Sequence, residues 1–350
     1  MNCCINCFVS NYLKQIIVGG EIGNCDYCNS KDINVYNPSE LSKFFVVLID
    51  LYEEDDEGKD IAEQLIDDFP NKIFTERVIS KNSAKKLLMD ILEDDFDNYK
   101  GVLEAPVKLK LNKTSYQSDI VEPLAISWDE FCKEIKNVNR FHFQNVLDLG
   151  KLKSIFEKYK KEIVRGKSFY RSRISKGRVA YTKAEMKNPP AALSTNGRAN
   201  PNGISYLYLS DSEKTTLYEI RASLYDYVSV ARFRLNEDIQ VVNLSFLSID
   251  IFAYADEDML EDILIYKDFI LKLEDELSKP HRRHDSDLDY LPTQYVSEFI
   301  KSMGFDGIEY KSSLYPEGYN LAIFNTEKFE CKKVELYDIK TIDLTFENIS

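Results

Sequence analysis

Five of the chain's seven cysteines fall within its first 28 residues, and their spacing is the tightest constraint the sequence places on its own folding. Cys4-x2-Cys7 is followed, after 17 residues, by Cys25-x2-Cys28. That is the pattern of a four-thiolate zinc ribbon, in which each pair sits on a tight knuckle and offers two sulfurs to one tetrahedral ion. Cys3 could take the place of Cys4. The competing reading is a cluster of free or disulfide-bonded cysteines. The N-terminus lacks a basic stretch followed by an apolar one, so the chain is read as cytoplasmic, where disulfides are rare. Four thiolates leave no open position for water, so the expected zinc is structural rather than catalytic.

Beyond the ribbon, which is expected to span 1–35, the pattern turns helical. Leu41, Phe44, Phe45, Leu48 and Leu51 recur at helical spacing, as do Ile61, Leu65, Leu87, Leu88 and Leu92 further on. A small helical domain is expected over 36–145, with residues 101–127 irregular and strand-like and a helix opening at Ser127 around Trp128. Between residues 50 and 100 there are 16 acidic and 7 basic residues, so much of the net charge of −14 resides here. A solvated helical face accounts for this more simply than a partner surface. The overall acidity argues against nonspecific binding to nucleic acid or an anionic membrane, which requires a basic face. No apolar run approaches the roughly 20 residues that span a bilayer.

A further amphipathic helix is expected near 151–164, and a third domain over 165–350. Its first strand, Ser168–Ile174, carries Arg171 and Arg173 on one face, an arrangement that calls for an anion. The stretch 196–219, NGRANPNGISYLYLSDSEKTTLYE, then concentrates the chemistry. The loop GRANPNG can bring backbone close to a ligand, and Arg198 within it has a planar fork suited to phosphate or carboxylate. Ile204–Leu209 alternates like a strand, and Ser210 or Asp211 can cap the following helix, which carries Glu219. An ion pair between Arg198 and Glu219 is the competing structural role. Further strands are expected over 226–235, 306–310 and 320–325, with helices over 257–277 and 291–303. In the charged segment 280–289, His281 and His284 lack a third ligand at a convincing spacing, so a loop or lid is expected there.

Taken together, FYRSR at 169–173, GRANPNGISYLYLS at 197–210, LYE at 217–219, PTQYVSEFIKSMGFDGIEYKSS at 292–313 and NLAIF at 320–324 resemble the RES-domain family, which supplies toxins of bacterial toxin–antitoxin pairs. The resemblance implies an enzyme that destroys NAD+ by phosphorolysis or hydrolysis of the nicotinamide–ribose bond, acting as a toxin or a bacterial defence effector. The implied class is α+β, with an ADP-ribosyltransferase-like mixed sheet in the C-terminal domain. The ribbon and helical segment are similar to a HEPN-like extension of longer members. Arg171 and Arg198 match the family's anion-binding arginines, Tyr208 its cleft tyrosine, Glu219 its glutamate and Ser312 its serine. Asn320 is a further substrate-binding match. Short members often carry proline where this chain has Lys311, which leaves Ser312 and Ser313 both open. Implied partners are NAD+, phosphate as acceptor, and an antitoxin or sensor protein, although the long N-terminal half departs from the compact toxins.

These residue types suit the chemistry. Breaking the nicotinamide–ribose bond passes through an oxocarbenium-like state, which a carboxylate such as Glu219 stabilises. Arginine forks hold a pyrophosphate, Tyr208 can stack on a base, and a serine can hold the ribose or an incoming phosphate. Two other functions compete: an ADP-ribosyltransferase acting on protein or nucleic acid, and a non-catalytic zinc-ribbon binding module. A HEPN-type ribonuclease is disfavoured, because none of the three histidines follows an arginine at the spacing that activity uses.

Overall fold

The computed structural model describes residues 1–80, 83–110, 127–142, 147–245, 250–254, 257–279 and 286–342. The chain divides into two units: Met1–Leu124 with Ile249–Tyr266, and Ala125–Ser248 with Lys267–Ser350. The fold class is α+β. No helix among the described residues is long and apolar enough to cross a membrane.

In the first unit, β1 (Cys3–Cys4), β2 (Glu21–Gly23) and β3 (Ile33–Tyr36) form a small antiparallel sheet in the order β1-β3-β2. Helix α1 (Asn11–Ile17) starts where the Ser10 hydroxyl accepts the Leu13 N–H. The helical pattern read from the leucines emerges as α2 (Ser42–Ile49), α3 (Ile61–Asp68), α4 (Glu76–Ile79), α5 (Ala84–Ile91) and α6 (Phe96–Glu104). Phe45 of α2 joins Phe8, Phe74 and Phe252 in an aromatic cluster whose contacting rings lie 5.0 to 6.3 Å apart, centroid to centroid.

One element breaks the expected helical run. Tyr52–Lys59, YEEDDEGK, is a strand, β4, paired with β5 (Val107–Leu109). Its sequence has neither alternation nor strand propensity. What holds it is tertiary: Tyr52 is buried and donates its hydroxyl to Asp68 at 2.9 Å, while Lys108 of β5 meets Asp55 at 3.1 Å. The rest of the segment expected to be strand-like is the end of α6 and the short β5, and 111–126 lies outside the described residues.

The second unit begins with α7 (Trp128–Asn137), opened by a capping box in which Ser127 and Glu130 satisfy each other's backbone N–H groups. Helix α8 (Leu149–Lys158) stops short of Val164, because Lys160–Ile163 leaves as strand β6 to pair with the sheet. The remaining strands are β7 (Ser168–Ile174), β8 (Leu207–Ser210), β9 (Tyr227–Leu235), β10 (Ile239–Asn243), β11 (Gly307–Lys311), β12 (Tyr319–Ile323) and β13 (Phe329–Asp338). They form an eight-stranded sheet in the order β13-β9-β7-β8-β12-β11-β10-β6. Every pairing is antiparallel except β10 with β11. One face buries Phe169, Leu207, Leu209, Phe233, Leu321 and Ile323 in a common core.

Helices α9 (Glu213–Glu219), α10 (Glu257–Ser278) and α11 (Leu291–Ser302) complete the chain. Ser212, rather than Ser210 or Asp211, caps α9 by accepting the Thr215 N–H. The two expected caps are engaged elsewhere: Ser210 donates to Asn320, and Asp211 accepts from the Thr215 hydroxyl and the Tyr319 N–H. The segment 280–285, with His281 and His284, lies outside the described residues.

Candidate active site

Strands β7 and β8 are paired only at Tyr170 and Ser210, so the sheet opens between them. Arg171 closes part of that gap: its Nη1 donates to the Tyr208 carbonyl at 3.2 Å. Burial, and then the charge of Arg173, pull its guanidinium down to about 10. Its buried Nε has no hydrogen-bond partner among the described residues. A cation held this way retains donors for an acceptor that the protein does not itself supply.

Glu219 is the last residue of α9, where the helix delivers it to the same edge of the sheet. Its Oε1 accepts the Ser312 hydroxyl at 2.5 Å and the Asn320 amide N–H at 2.8 Å. Both donors are fixed in turn. The Ser312 oxygen accepts the Tyr315 N–H at 3.0 Å, which directs its proton towards the carboxylate. The Asn320 carbonyl accepts from Ser210 at 2.7 Å, which orients the amide so that its N–H₂ faces Glu219. A close approach underlies the arrangement: a Cβ on Gly318 would lie 2.2 Å from the Thr215 hydroxyl on α9, so only glycine lets the turn after Ser312 sit against that helix. Among the described residues, Glu219 Oε2 accepts no hydrogen bond.

Glu219 lines two adjoining cavities, one of about 420 Å³ and one of about 220 Å³. Tyr208 and Tyr310 line both as well. The smaller cavity adds Arg171, Ser210 and Asn320, and the larger adds Arg198, Arg221 and Lys279. Arg198 and Glu219 thus share a cavity wall, and the Arg198 side chain also reaches Glu276 and Tyr290. Its Nη1 donates to the Glu276 carbonyl at 3.1 Å and lies 4.0 Å from that residue's carboxylate, and its guanidinium sits 5.1 Å from the Tyr290 ring centroid. The GRANPNG loop is clamped by α11: Gln294 donates to the carbonyls of Gly197 and Asn200, and Thr293 to that of Arg198. Tyr208 donates its hydroxyl to Asn200 at 2.7 Å and accepts the Ala199 N–H, so its hydroxyl ties down the loop while its ring faces the cavities. Burial pushes this phenol up to about 12.

Ser313 stands apart from this network and donates to the Ser278 carbonyl at 2.6 Å. Tyr310, not singled out from the sequence, is a full cleft member. It is buried, and burial, together with Tyr208 and the Glu219 charge, raises its phenol well above the ordinary value. The signal for it was present, since Tyr310 and Ser312 lie two residues apart at the end of a strand and so share a face. Gln294, Thr293 and Asn200 carry no such signal, because their role is to hold a loop distant in sequence. Chemically, the arrangement offers one carboxylate anchored through a single oxygen, flanked by cationic groups. That suits a ligand with an anionic portion and a centre that becomes positive as it reacts.

The four cysteines Cys4, Cys7, Cys25 and Cys28 are buried, and their sulfurs all lie within 4.8 Å of one another. Cys4 and Cys28 approach to 3.4 Å, and Cys7 and Cys25 to 3.3 Å. The N–H groups of Tyr27 and Cys28 both point at Cys25 Sγ at 3.5 Å, the knuckle geometry that supports a thiolate. The donor set and spacing fit one tetrahedral zinc with no open position. Cys3, also buried, directs its sulfur to the Tyr36 carbonyl instead.

A family model described as the RES domain matches residues 169–347. All six of the residues Arg171, Arg198, Tyr208, Glu219, Ser312 and Asn320 lie inside that match, and the cysteine cluster lies outside it. No curated protein sequence matches the chain. Among solved structures, a chain in the crystal structure of the M. tuberculosis MbcT–MbcA toxin–antitoxin complex is similar at 15% identity with a TM-score of 0.32. The alignment covers 55% of this chain and 94% of that one.

Proposed function

The chain belongs to the RES-domain family, and on that premise we propose that it degrades NAD+ by breaking the bond between nicotinamide and its ribose. The observation that carries this reading is the state of Glu219, with Oε1 held by Ser312 and Asn320 while Oε2 has no hydrogen-bond partner among the described residues and the side chain lines both cavities. Beside the reacting ribose, that carboxylate offsets the positive charge that develops at the anomeric carbon as neutral nicotinamide leaves. Its geometry is set before the substrate arrives, so little reorganisation is needed at the transition state. Arg198 provides a charge-assisted contact to the pyrophosphate, and Arg171, in the smaller cavity, provides donors for the incoming acceptor. In phosphorolysis, phosphate bonds to the anomeric carbon, giving ADP-ribose 1″-phosphate and nicotinamide. In hydrolysis, water takes that place and loses a proton.

Ser312 is assigned a positioning and binding role, since its proton is directed at Glu219. The second unit is read as ADP-ribosyltransferase-like. The cysteine cluster is read as a structural zinc ribbon, and the biological role as a toxin restrained by an antitoxin or sensor protein. The test is to incubate purified protein with NAD+, with and without phosphate, and identify the products by mass. Free nicotinamide with ADP-ribose or its phosphate supports the reading. ADP-ribose found attached to protein or nucleic acid would favour the transferase instead, and intact NAD+ would overturn the proposal.

A further inference from the structure

Two side chains of the larger cleft cavity have a second face. Arg198 and Lys279 also line a third cavity of about 420 Å³, which Glu219 does not reach. Its far wall comes from α7, through Trp128 and Asp129, and from Pro292 and Lys272. Helix α7 precedes the matched RES segment of 169–347, so this compartment is built partly by chain outside the domain that carries Glu219.

We propose that this third cavity is the subsite for the adenosine end of NAD+, an inference that rests on the NAD+-cleaving reading above. The three cavities form a series joined by shared side chains. Glu219, Tyr208 and Tyr310 are common to the first two, and Arg198 and Lys279 to the second and third. A dinucleotide has the same order. Its reacting ribose belongs at Glu219, its pyrophosphate at Arg198 between the compartments, and its unreactive half beyond it. The buried Trp128 and the Pro292 ring give that compartment apolar surface suited to a base. Its charged walls are mostly spent on one another: Lys136 pairs with Asp289 at 3.0 Å, and Lys279 with Glu276 at 2.5 Å. Asp129 and Lys272 are exposed, and their side chains take part in no hydrogen bond or ion pair among the described residues. Asp129 is therefore placed to accept from ribose hydroxyls or the adenine amino group, and Lys272 to donate to ring nitrogens or oxygens of the ligand.

Nicotinamide mononucleotide carries the same scissile bond and lacks the adenylate half, so it loses this subsite together with the pyrophosphate linkage, and variants confined to the third cavity separate the two. Turnover of NAD+ and of the mononucleotide is compared for full-length wild type and for Asp129→Lys and Lys272→Glu. Binding energy from a remote, unreactive group shows in kcat/KM, so wild type should prefer NAD+, and each charge reversal should reduce that preference by about tenfold. The ratio of the two substrates is the readout, because a general loss of folded protein lowers both alike and leaves the ratio unmoved. A wild-type enzyme that cleaves both equally, or variants with an unaltered ratio, would overturn the subsite while leaving NAD+ cleavage standing. If wild type cleaves neither substrate, the NAD+ reading falls and this inference falls with it.

Discussion

Replacing Glu219 with glutamine separates the charge of the site from its shape. The carboxamide oxygen can take the place of Oε1 and still accept from Ser312 and Asn320, the 2.5 and 2.8 Å hydrogen bonds of the native site. Weakening two charge-assisted bonds to neutral ones costs about 1 kcal/mol each, partly offset because a charge no longer has to be kept from water. The melting temperature should therefore move little. The transition state loses the full negative charge opposite the anomeric carbon, an effect worth about 3 to 5 kcal/mol, or two to four decades in turnover. Ser312→Ala removes one of the two anchors and leaves Asn320 in place, so its loss should be about tenfold. The assay is nicotinamide release in single turnover, alongside thermal unfolding of both variants. Turnover of Glu219→Gln above about a tenth of wild type would refute the electrostatic role. A Ser312→Ala loss exceeding that of Glu219→Gln would refute it differently, because the short Ser312–Glu219 contact would then read as a base activating a nucleophile.

Arg198→Lys should weaken NAD+ binding by about tenfold, measured by calorimetric titration on the Glu219→Gln background, with little thermal destabilisation; normal binding would show that the arginine serves structural contacts such as those with Glu276 and Tyr290. Metal analysis of freshly purified protein should find one zinc per chain, and hydrogen exchange after chelation should rise first around Cys4–Cys28; clearly substoichiometric zinc would count against the ribbon. Lys72 is buried, and burial lowers its ammonium to about 8, below the usual 10.5. The unfolded chain therefore holds this proton more tightly, and the native state carries a cost below pH 8 that is relieved as pH rises towards 10.5. Lys72→Met should accordingly flatten the rise in stability across that window, by at most about 3 kcal/mol; an unchanged pH profile would contradict it.

How far the sequence reaches is shown by particular residues. The two strands and the helix carrying Arg171, Tyr208 and Glu219 are legible because alternation and motif coincide there, and the structure brings these three together with Ser312 and Asn320. β13 has an alternating start, Phe329 and Cys331, but a bulge between Cys331 and Lys333 shifts the period and hides the rest. β10 is a short apolar run that a helix could equally contain. β4 has no local strand signal, and its pairing with β5 rests on the burial of Tyr52 against local preference. Within the cleft, the network around Glu219 is carried by identity at motif positions, whereas the clamp from Gln294 and the cavity wall from Trp128 depend on contacts with no local signature.

The anchoring of Glu219 also governs when activity can begin during synthesis. Its two partners lie 93 and 101 residues further along the chain. At about 5 to 20 residues per second, the ribosome exposes the carboxylate several seconds before either partner exists. The first unit is likewise incomplete until 249–266 has been made. A nascent chain therefore carries no organised cleft until β12 has emerged, and a message truncated before the codon for Asn320 yields a chain in which the Glu219 carboxylate lacks its amide anchor.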